Sequence, residues 1–142
     1  EENDKKYLRQ LSRRIWAYYD DFINEENNYL APDNYQESPF KGIAYRTSPT
    51  NIGMGLISNV VALDLGYIVF EDALSRIEKI ISSMLLLETY NGHFLNWYDT
   101  KTRKPLYPRY ISTVDSGNLL ACLLIVKEVL NDYKKNTIFT IP

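Results

Sequence analysis

Two stretches of the sequence, residues 29–47 and 93–110, hold side-chain types that together recognise sugars. Each stretch mixes aromatic rings with planar amides, carboxylates and an arginine. A sugar presents hydroxyl groups that need hydrogen-bond donors and acceptors, and apolar C–H faces that pack on aromatic rings. The chemistry of the two stretches therefore predicts a glycan-binding surface, provided that the fold brings them together.

Four carboxylates in or beside these stretches are candidates for glycoside chemistry: Asp33, Glu37, Asp99 and Asp115. Such chemistry uses two carboxyl groups, ~5 Å apart for retention of configuration and ~6.5–9.5 Å apart for inversion. Asp115 is also explained as the partner of Ser112 in a helix-capping box. Asp33 and Asp99 are also explained as turn formers that accept hydrogen bonds from nearby backbone N–H groups. Glu37, which precedes a Ser-Pro pair, has no such local explanation.

The arginines and the tryptophan of the two stretches each allow a structural role and a sugar-binding role. Arg46 and Arg109 could each hold a loop carboxylate in place or contact a sugar directly. Trp97 could be a hydrophobic plug or a stacking platform. We expect Arg46 to organise the site, because its planar guanidinium can hold a carboxylate while its other N–H groups reach a ligand. The carboxylate held would be one such as that of Asp115 or Glu37.

Other chemistries find little support in the sequence. His93 is the only histidine, so a histidine-based metal cluster is excluded, and no phosphate-binding glycine loop is present. We therefore predict neither a metal nor another cofactor. The net charge of -2 argues against a nucleic acid partner. Cys122 is the only cysteine, so an internal disulfide is excluded and a packing role is expected.

Hydrophobic periodicity predicts an all-α fold with no convincing strand. The predicted helices cover residues 4–26, 50–66, 70–90 and 114–134, and the tail at 136–142 is expected to be extended or frayed. The first and third helices are amphipathic, whereas the second helix and the first half of the fourth are almost free of charge. We therefore expect the second and fourth helices to be the least exposed.

The 142 residues fit one domain or part of one, built from antiparallel helical hairpins. A very short connection joins the second and third helices, whereas long connections precede the second and the fourth. Because the chain reverses at each helix, both long connections emerge at one end, beside the N-termini of the second and fourth helices. At that end we expect seven side chains to converge: Asp33, Gln36, Glu37, Arg46, Asn51, Trp97 and Asp115.

Four motifs within these segments are distinctive. They are Leu-Ala-Pro-Asp-Asn-Tyr-Gln-Glu at 30–37, Arg-Thr-Ser-Pro-Thr-Asn-Ile-Gly at 46–53, Gly-His-Phe-Leu-Asn-Trp-Tyr-Asp-Thr at 92–100, and Pro-Arg-Tyr followed by Ser-Thr-Val-Asp-Ser-Gly-Asn-Leu within 108–119. In this order they resemble the middle region of bacterial cyclic β-1,2-glucan synthases. Those synthases are large inner-membrane proteins with a glycosyltransferase region, a glucoamylase-like (α/α)6 middle region that cyclises the glucan by transglycosylation, and a phosphorylase-like region.

The resemblance implies that residues 1–142 form a single fragment, the N-terminal portion of the (α/α)6 barrel. The fragment holds too few helices to close a barrel, so the catalytic acid/base and nucleophile are expected outside this chain. The parent is then expected to be an enzyme and the fragment alone to be inactive. The resemblance carries over only sugar-contact or loop-shaping roles, to Asp33, Asn34, Gln36, Glu37, Arg46, Thr47, Asn51, Trp97, Asp99, Asp115 and Asn118.

The resemblance also implies the partners to expect. These are a β-glucan oligosaccharide and the rest of a parent that is anchored in the bacterial inner membrane, with this piece on its cytoplasmic side. No apolar run of the chain is long enough to span a bilayer, so direct membrane insertion is not expected. Inner helices cut from their neighbours would expose an apolar patch, which predicts that the isolated fragment associates with itself.

The alternative is a helical interaction or scaffold module without a catalytic role, whose loop aromatics form a partner interface. A sugar cleft requires the loop groups to face one concavity, whereas a partner interface would spread them over a flatter surface.

Overall fold

The computed structural model describes residues 1–137 and has four helices and six two-residue strands within that range. The helices are α1 (Glu2–Phe22), α2 (Pro49–Asp64), α3 (Phe70–Met84) and α4 (Thr113–Thr137). The strands lie in the connections and are β1 (Tyr35–Gln36), β2 (Gly42–Ile43), β3 (Arg46–Thr47), β4 (Thr89–Tyr90), β5 (His93–Phe94) and β6 (Tyr98–Asp99). The predicted helical class is confirmed, and the prediction that strands are absent is wrong. The last part of the predicted tail, 138–142, lies outside the described residues.

The helix α2 begins where the Ser-Pro pair predicts it. Ser48 Oγ accepts a hydrogen bond from Asn51 N (3.3 Å), and Pro49 occupies the first helical position. The helix buries Ile52 and Leu56 completely and packs against both α3 and α4. It is therefore an inner helix, as its nearly uncharged sequence predicts.

The helices α2 and α4 run side by side in the same direction. Thr50 and Asp115 are hydrogen-bonded near the start of the two helices. Further along, a Cβ at Gly53 would lie 3.0 Å from Cys122 Sγ and 3.3 Å from Leu119 Cα, so glycine permits this close approach. The N-termini of α2 and α4 thus lie at the same end, and Cys122 has the packing role expected of it.

The hydrophobic core joins the helices to the two long connections. Its fully or nearly fully buried members are Leu30, Ile52, Leu56, Val60, Ile77, Ile80, Met84, Leu87, Leu95, Tyr98, Leu119 and Val126. Tyr98 comes from a connection and is 0% exposed. Its hydroxyl donates to Glu88 O (2.7 Å) and accepts from Leu95 N (2.7 Å), and burial raises its pKa. The second connection is therefore anchored in the core by a tyrosine whose polar tip is satisfied.

The predicted burial of the fourth helix is wrong over most of its surface. Leu119 and Val126 are buried, but Leu120 is 59% exposed and Leu124 54% exposed. The reason is that α4 packs mainly against α2, along one face only. The nearly uncharged first half of α4 suits burial on more sides than residues 1–137 provide.

The third helix ends at Met84, before the predicted end at residue 90. The strands β4 and β5 pair antiparallel around the turn Asn91-Gly92, with φ of 49° and 81° at these two residues. Positive φ at both central residues is the geometry of a two-residue hairpin turn of type I′. The Asn-Gly pair is thus a hairpin turn rather than the stop of a helix.

The first helix is covered along only part of its apolar face. Trp16 is buried, whereas Leu8 is 59% exposed and Ile15 55% exposed. The helix ends at Phe22 rather than at the predicted residue 26. The following turn is closed by Asn24, whose Oδ1 accepts a hydrogen bond from the backbone N–H of residue 27 (3.0 Å).

Candidate functional site

The two long connections, 23–48 and 85–112, meet at one end of the helices. Strands β3 and β6 pair antiparallel, with Arg46 opposite Asp99 and Thr47 opposite Tyr98. Beside them, Asn28 Nδ2 donates to two consecutive carbonyl oxygens of the second connection at 2.8 Å each. This is the shared end that the alternation of helix direction predicts.

A first group of side chains surrounds Asp33 and is called the Asp33 cluster: Asp33, Asn34, Arg46 and Asn51. Arg46 donates to Asp33 Oδ2 through Nη2 (2.9 Å) and Nε (3.2 Å). Asn51 Nδ2 donates to Asp33 Oδ1 (3.1 Å), and Asn34 Nδ2 donates to Oδ2 (3.1 Å). The carboxylate is thus held by one cation and two amides at the start of α2.

Arg46 holds a loop carboxylate, as expected, but the carboxylate is that of Asp33 rather than that of Asp115 or Glu37, the two named as examples. The reason lies in the backbone, where Asp33 N donates to Arg46 O (2.8 Å) and sets the two residues side by side. The guanidinium also lies over the Trp97 ring, 5.2 Å from its centroid. Arg46 Nη1 makes no hydrogen bond to any of the described residues.

A second group, called the Asp115 cluster, consists of Thr50, Asn96, Ser112, Asp115 and Asn118. Asp115 accepts from Thr50 Oγ1 (2.8 Å) and from Ser112 Oγ (2.6 Å), and its N–H donates to Ser112 Oγ (3.2 Å). Asn118 Nδ2 donates to Thr50 Oγ1 (3.0 Å). Ser112 Oγ therefore caps α4 through the N–H of Asp115, as the spacing of the two residues predicts, and the Asp115 carboxylate ties α2 to α4.

The buried amide of Asn96 extends this cluster to two aromatic side chains. In the amide orientation that satisfies its neighbours, Nδ2 donates to Asp115 Oδ2 (3.1 Å). The amide oxygen then accepts from Trp97 Nε1 (2.8 Å) and from the Tyr110 hydroxyl (2.9 Å). Asn96 was not among the predicted site residues, because the sequence does not show which amide links a carboxylate to the rings.

Next to these two rings lies a depression of about 380 Å³. It is lined by Arg46, Trp97, Leu106, Tyr107, Pro108 and Tyr110. Trp97 is half-buried on this wall, and Tyr107 is 84% exposed. Tyr107 was also missed by the sequence reasoning, although it belongs to one of the two aromatic stretches.

The predicted residues Gln36 and Glu37 take no part in either cluster. Gln36 Nε2 donates to Pro39 O (2.9 Å) within the β1–β2 hairpin. Glu37 is exposed and forms no ion pair with the described residues. The two side chains therefore belong to a separate hairpin at the same end of the helices.

Asp99 and Thr47 occupy structural positions between the connections. Asp99 Oδ1 accepts from Lys101 N and Thr102 N, both at 2.9 Å, as expected of a turn former. Thr47 is 0% exposed, and its Oγ1 has no hydrogen-bond partner among the described residues. Neither geometry presents the side chain as a direct sugar contact.

Two further groups support the connections from outside the clusters. Arg109 pairs with Glu88, and this hydrogen bond raises the pKa of Arg109, with a smaller contribution from Tyr107. Tyr18 of α1 donates to Pro32 O (2.8 Å), and burial raises its pKa to about 12. Both groups therefore keep their ordinary protonation state and act as fixed supports.

Within residues 1–137, no three His, Cys, Asp or Glu side chains are grouped as a metal site requires. Within the same range, every helix is too short or too polar to cross a bilayer.

Comparison with known sequences confirms the predicted resemblance. The chain is 43% identical over 126 residues to the cyclic β-(1,2)-glucan synthase NdvB of Rhizobium meliloti (strain 1021). The match covers 89% of this chain and 4% of that protein, so the chain spans a small part of its relative's length. No family model matches the sequence.

Comparison with solved structures shows a glucoamylase-like fold, part of an (α/α) toroid. A putative glucoamylase from Bacteroides fragilis NCTC 9343 superposes with a TM-score of 0.72 at 22% identity, over 85% of this chain and 30% of that one. One from Bacteroides caccae ATCC 43185 gives 0.72 at 23% identity, over the same shares of the two chains. The endo-β-1,2-glucanase from Chitinophaga pinensis, in complex with sophorotriose and glucose, gives 0.69 at 21% identity, over 84% and 30%.

Proposed function

We propose that this chain, which resembles part of a cyclic β-(1,2)-glucan synthase, lines one end of the glucan cleft in a larger enzyme. That enzyme would bind β-1,2-glucan and cyclise it by transglycosylation. The chain would supply the cleft loops, and the remaining helices of the toroid would complete the cleft. Two resembling proteins carry β-1,2-glucan in their names, which supports this substrate class.

The observation that carries the proposal is the meeting of the two connections. Arg46 comes from the first, and Trp97, Tyr107 and Tyr110 come from the second, yet all four line one depression. Aromatic rings and a free guanidinium N–H that line one depression suit a sugar ring better than they suit the flat surface of a protein partner. The concavity therefore favours the cleft over the alternative interaction module.

The hydrogen bonds of Asp33 and Asp115 support positioning roles for both carboxylates. Each carboxylate accepts from at least three side-chain donors, which occupy its lone pairs. A general acid must instead hold a proton at the scissile oxygen. We assign the acid/base and nucleophile to other parts of the parent polypeptide.

We therefore propose direct contact with the substrate for only some of the predicted site residues. Arg46 and Trp97 are the direct contacts we propose among the predicted residues. The loop-shaping residues are Asp33, Asn34, Gln36, Thr47, Asn51, Asp99, Asp115 and Asn118. Glu37, exposed on the β1–β2 hairpin, would reach only a longer glucan chain. The same proposal places the parent at the cytoplasmic side of the bacterial inner membrane, with the anchor elsewhere in its sequence.

Arg46→Lys in the parent polypeptide tests the proposal. Lysine keeps the charge but loses the two-point hold on Asp33 and the planar contact with Trp97. We expect glucan affinity to fall about tenfold and cyclisation to be impaired, while chain synthesis by the other region continues. Arg14→Lys, at an exposed position of α1, is the matched control. Normal affinity and normal cyclic product from Arg46→Lys would remove Arg46 from the site.

One observation favours a contact with further helices as well. Leu120 and Leu124 form an exposed apolar face on α4, and the solved relatives continue well beyond the part that this chain matches. We assign this face to the rest of the toroid, which implies that the isolated chain self-associates. Light scattering checks this, and Leu124→Lys should then shift the chain towards the monomer. A wild-type chain that is monomeric at high concentration would contradict the assignment.

A further inference from the structure

We infer that the depression beside Trp97 is a subsite for one glucosyl ring and that Tyr107, a residue outside the predicted site, is its exposed stacking face. The inference rests on the proposed function and deepens it. It assigns a single position along the glucan chain to a defined set of side chains, Arg46 of the first connection and five residues of the second.

The size of the depression suits one sugar ring. Its volume of about 380 Å³ lies near the lower end of the ~300–1,000 Å³ range of small-molecule sites. One leucine, one proline and three aromatic rings make most of the wall, and Arg46 supplies the charge. A wall of this kind matches the C–H face of a pyranose, with hydroxyl groups directed to the guanidinium.

Two of the three rings are fixed before any ligand arrives. Trp97 Nε1 and the Tyr110 hydroxyl both donate to the Asn96 amide oxygen, and Asn96 donates in turn to Asp115. Because their polar tips are used in this way, Trp97 and Tyr110 offer the depression ring surface rather than hydrogen bonds. A fixed surface loses little conformational entropy on binding.

Tyr107 differs from these two rings because the folded chain leaves it open. It is 84% exposed, the largest exposed fraction among the tyrosines of the described residues. The neighbouring guanidinium of Arg109 is held by Glu88 and also interacts with the Tyr107 hydroxyl. A tyrosine that contributes so little to burial in the chain can be replaced without disturbing the fold, so it gives a clean test.

The test compares three variants of the parent polypeptide by calorimetric titration with linear β-1,2-glucan oligosaccharides. Tyr107→Ala should weaken affinity by about three- to tenfold through loss of ring contact. Tyr107→Phe keeps the ring and should bind as the wild type does. Tyr90→Ala removes a tyrosine that is 61% exposed on the β4–β5 hairpin and should also leave affinity unchanged. Cello-oligosaccharides, which have β-1,4 links, form the second titration arm.

The outcomes separate the subsite from the proposed function. Wild-type affinity in Tyr107→Ala, together with weakened binding in Arg46→Lys, would overturn the subsite and leave the function standing. An equal loss of affinity in Tyr107→Ala and Tyr90→Ala would also overturn it, since the loss would not depend on whether the tyrosine lies at the depression. Wild-type protein that binds neither glucan would overturn both. A loss confined to Tyr107→Ala and to the β-1,2-glucan arm supports a subsite selective for that linkage.

Discussion

The Asp33 and Asp115 clusters both hold a carboxylate beside the start of a helix, but only the first of them includes a cation. Asp33 faces the guanidinium of Arg46 and keeps 22% of its side chain exposed. Asp115 is held by two hydroxyl groups and an amide, with no cation among its described partners. The charge of Asp115 is balanced instead by the N-terminal end of α4, where backbone N–H groups favour an anion.

The difference indicates a division of labour at the proposed cleft. A partly exposed ion pair can open and reclose at little cost, so its arginine remains available to a ligand. A carboxylate enclosed by neutral donors has a fixed structural role, because removing it leaves several donors without an acceptor. The Asp115 cluster would therefore set the shape of the cleft, and the Asp33 cluster would respond to the substrate.

The largest loss of stability against unfolding is expected from Asp115→Ala. The substitution keeps the cap bond from the backbone N–H of residue 115 to Ser112 Oγ, but it leaves the donors of Thr50, Ser112 and Asn96 without their acceptor. Donors left without an acceptor cost about 1–3 kcal/mol, so the free energy of unfolding should fall by about that amount. Urea denaturation of the parent polypeptide, followed by near-ultraviolet circular dichroism, measures it. A loss below that of Asp33→Ala would reverse the comparison.

A smaller loss is expected from Thr50→Val, which keeps the shape of the side chain and removes only its hydroxyl. That hydroxyl donates to Asp115 and accepts from Asn118, so two hydrogen bonds between α2 and α4 disappear. The expected loss is about 1 kcal/mol in the free energy of unfolding. Ser58→Ala is a suitable control, because this hydroxyl bonds only within α2, to Gly55 O (2.7 Å). Equal losses in the two variants would show that the link between the helices adds nothing.

The sequence predicts the helices better than the connections, for physical reasons visible in particular residues. The start of α2 follows from local chemistry, since Ser48 and Pro49 form a cap whatever surrounds them. The end of α3 does not, because Asn91-Gly92 suits both a helix stop and a hairpin turn. The exposure of Leu124 depends on which neighbours are present, and no local pattern reports that.

The same distinction holds for the candidate site, where local sequence predicts some features and tertiary contacts determine the others. That the two connections meet can be deduced from helix direction, and the cap between Ser112 Oγ and the N–H of Asp115 can be deduced from the spacing of these two residues. Which carboxylate Arg46 holds depends on the backbone bond between residues 33 and 46, which is a tertiary contact. The link through Asn96 depends on tertiary packing in the same way.

The smallest effect on stability is expected from Asp33→Asn, and its dependence on salt should identify the cluster. Asparagine keeps one acceptor oxygen but loses the charge that pairs with Arg46, whose side chain is 48% exposed. Exposed ion pairs contribute about 0–1 kcal/mol, and the Debye length falls from ~10 Å at 0.1 M salt to ~3 Å at 1 M. The difference in unfolding free energy between wild type and Asp33→Asn should therefore shrink as salt is raised. The loss in Asp115→Ala should persist at high salt, because its partners are uncharged. Salt titration of both variants by urea denaturation provides the measurement, and parallel salt dependence in the two would show that the clusters do not differ in this way.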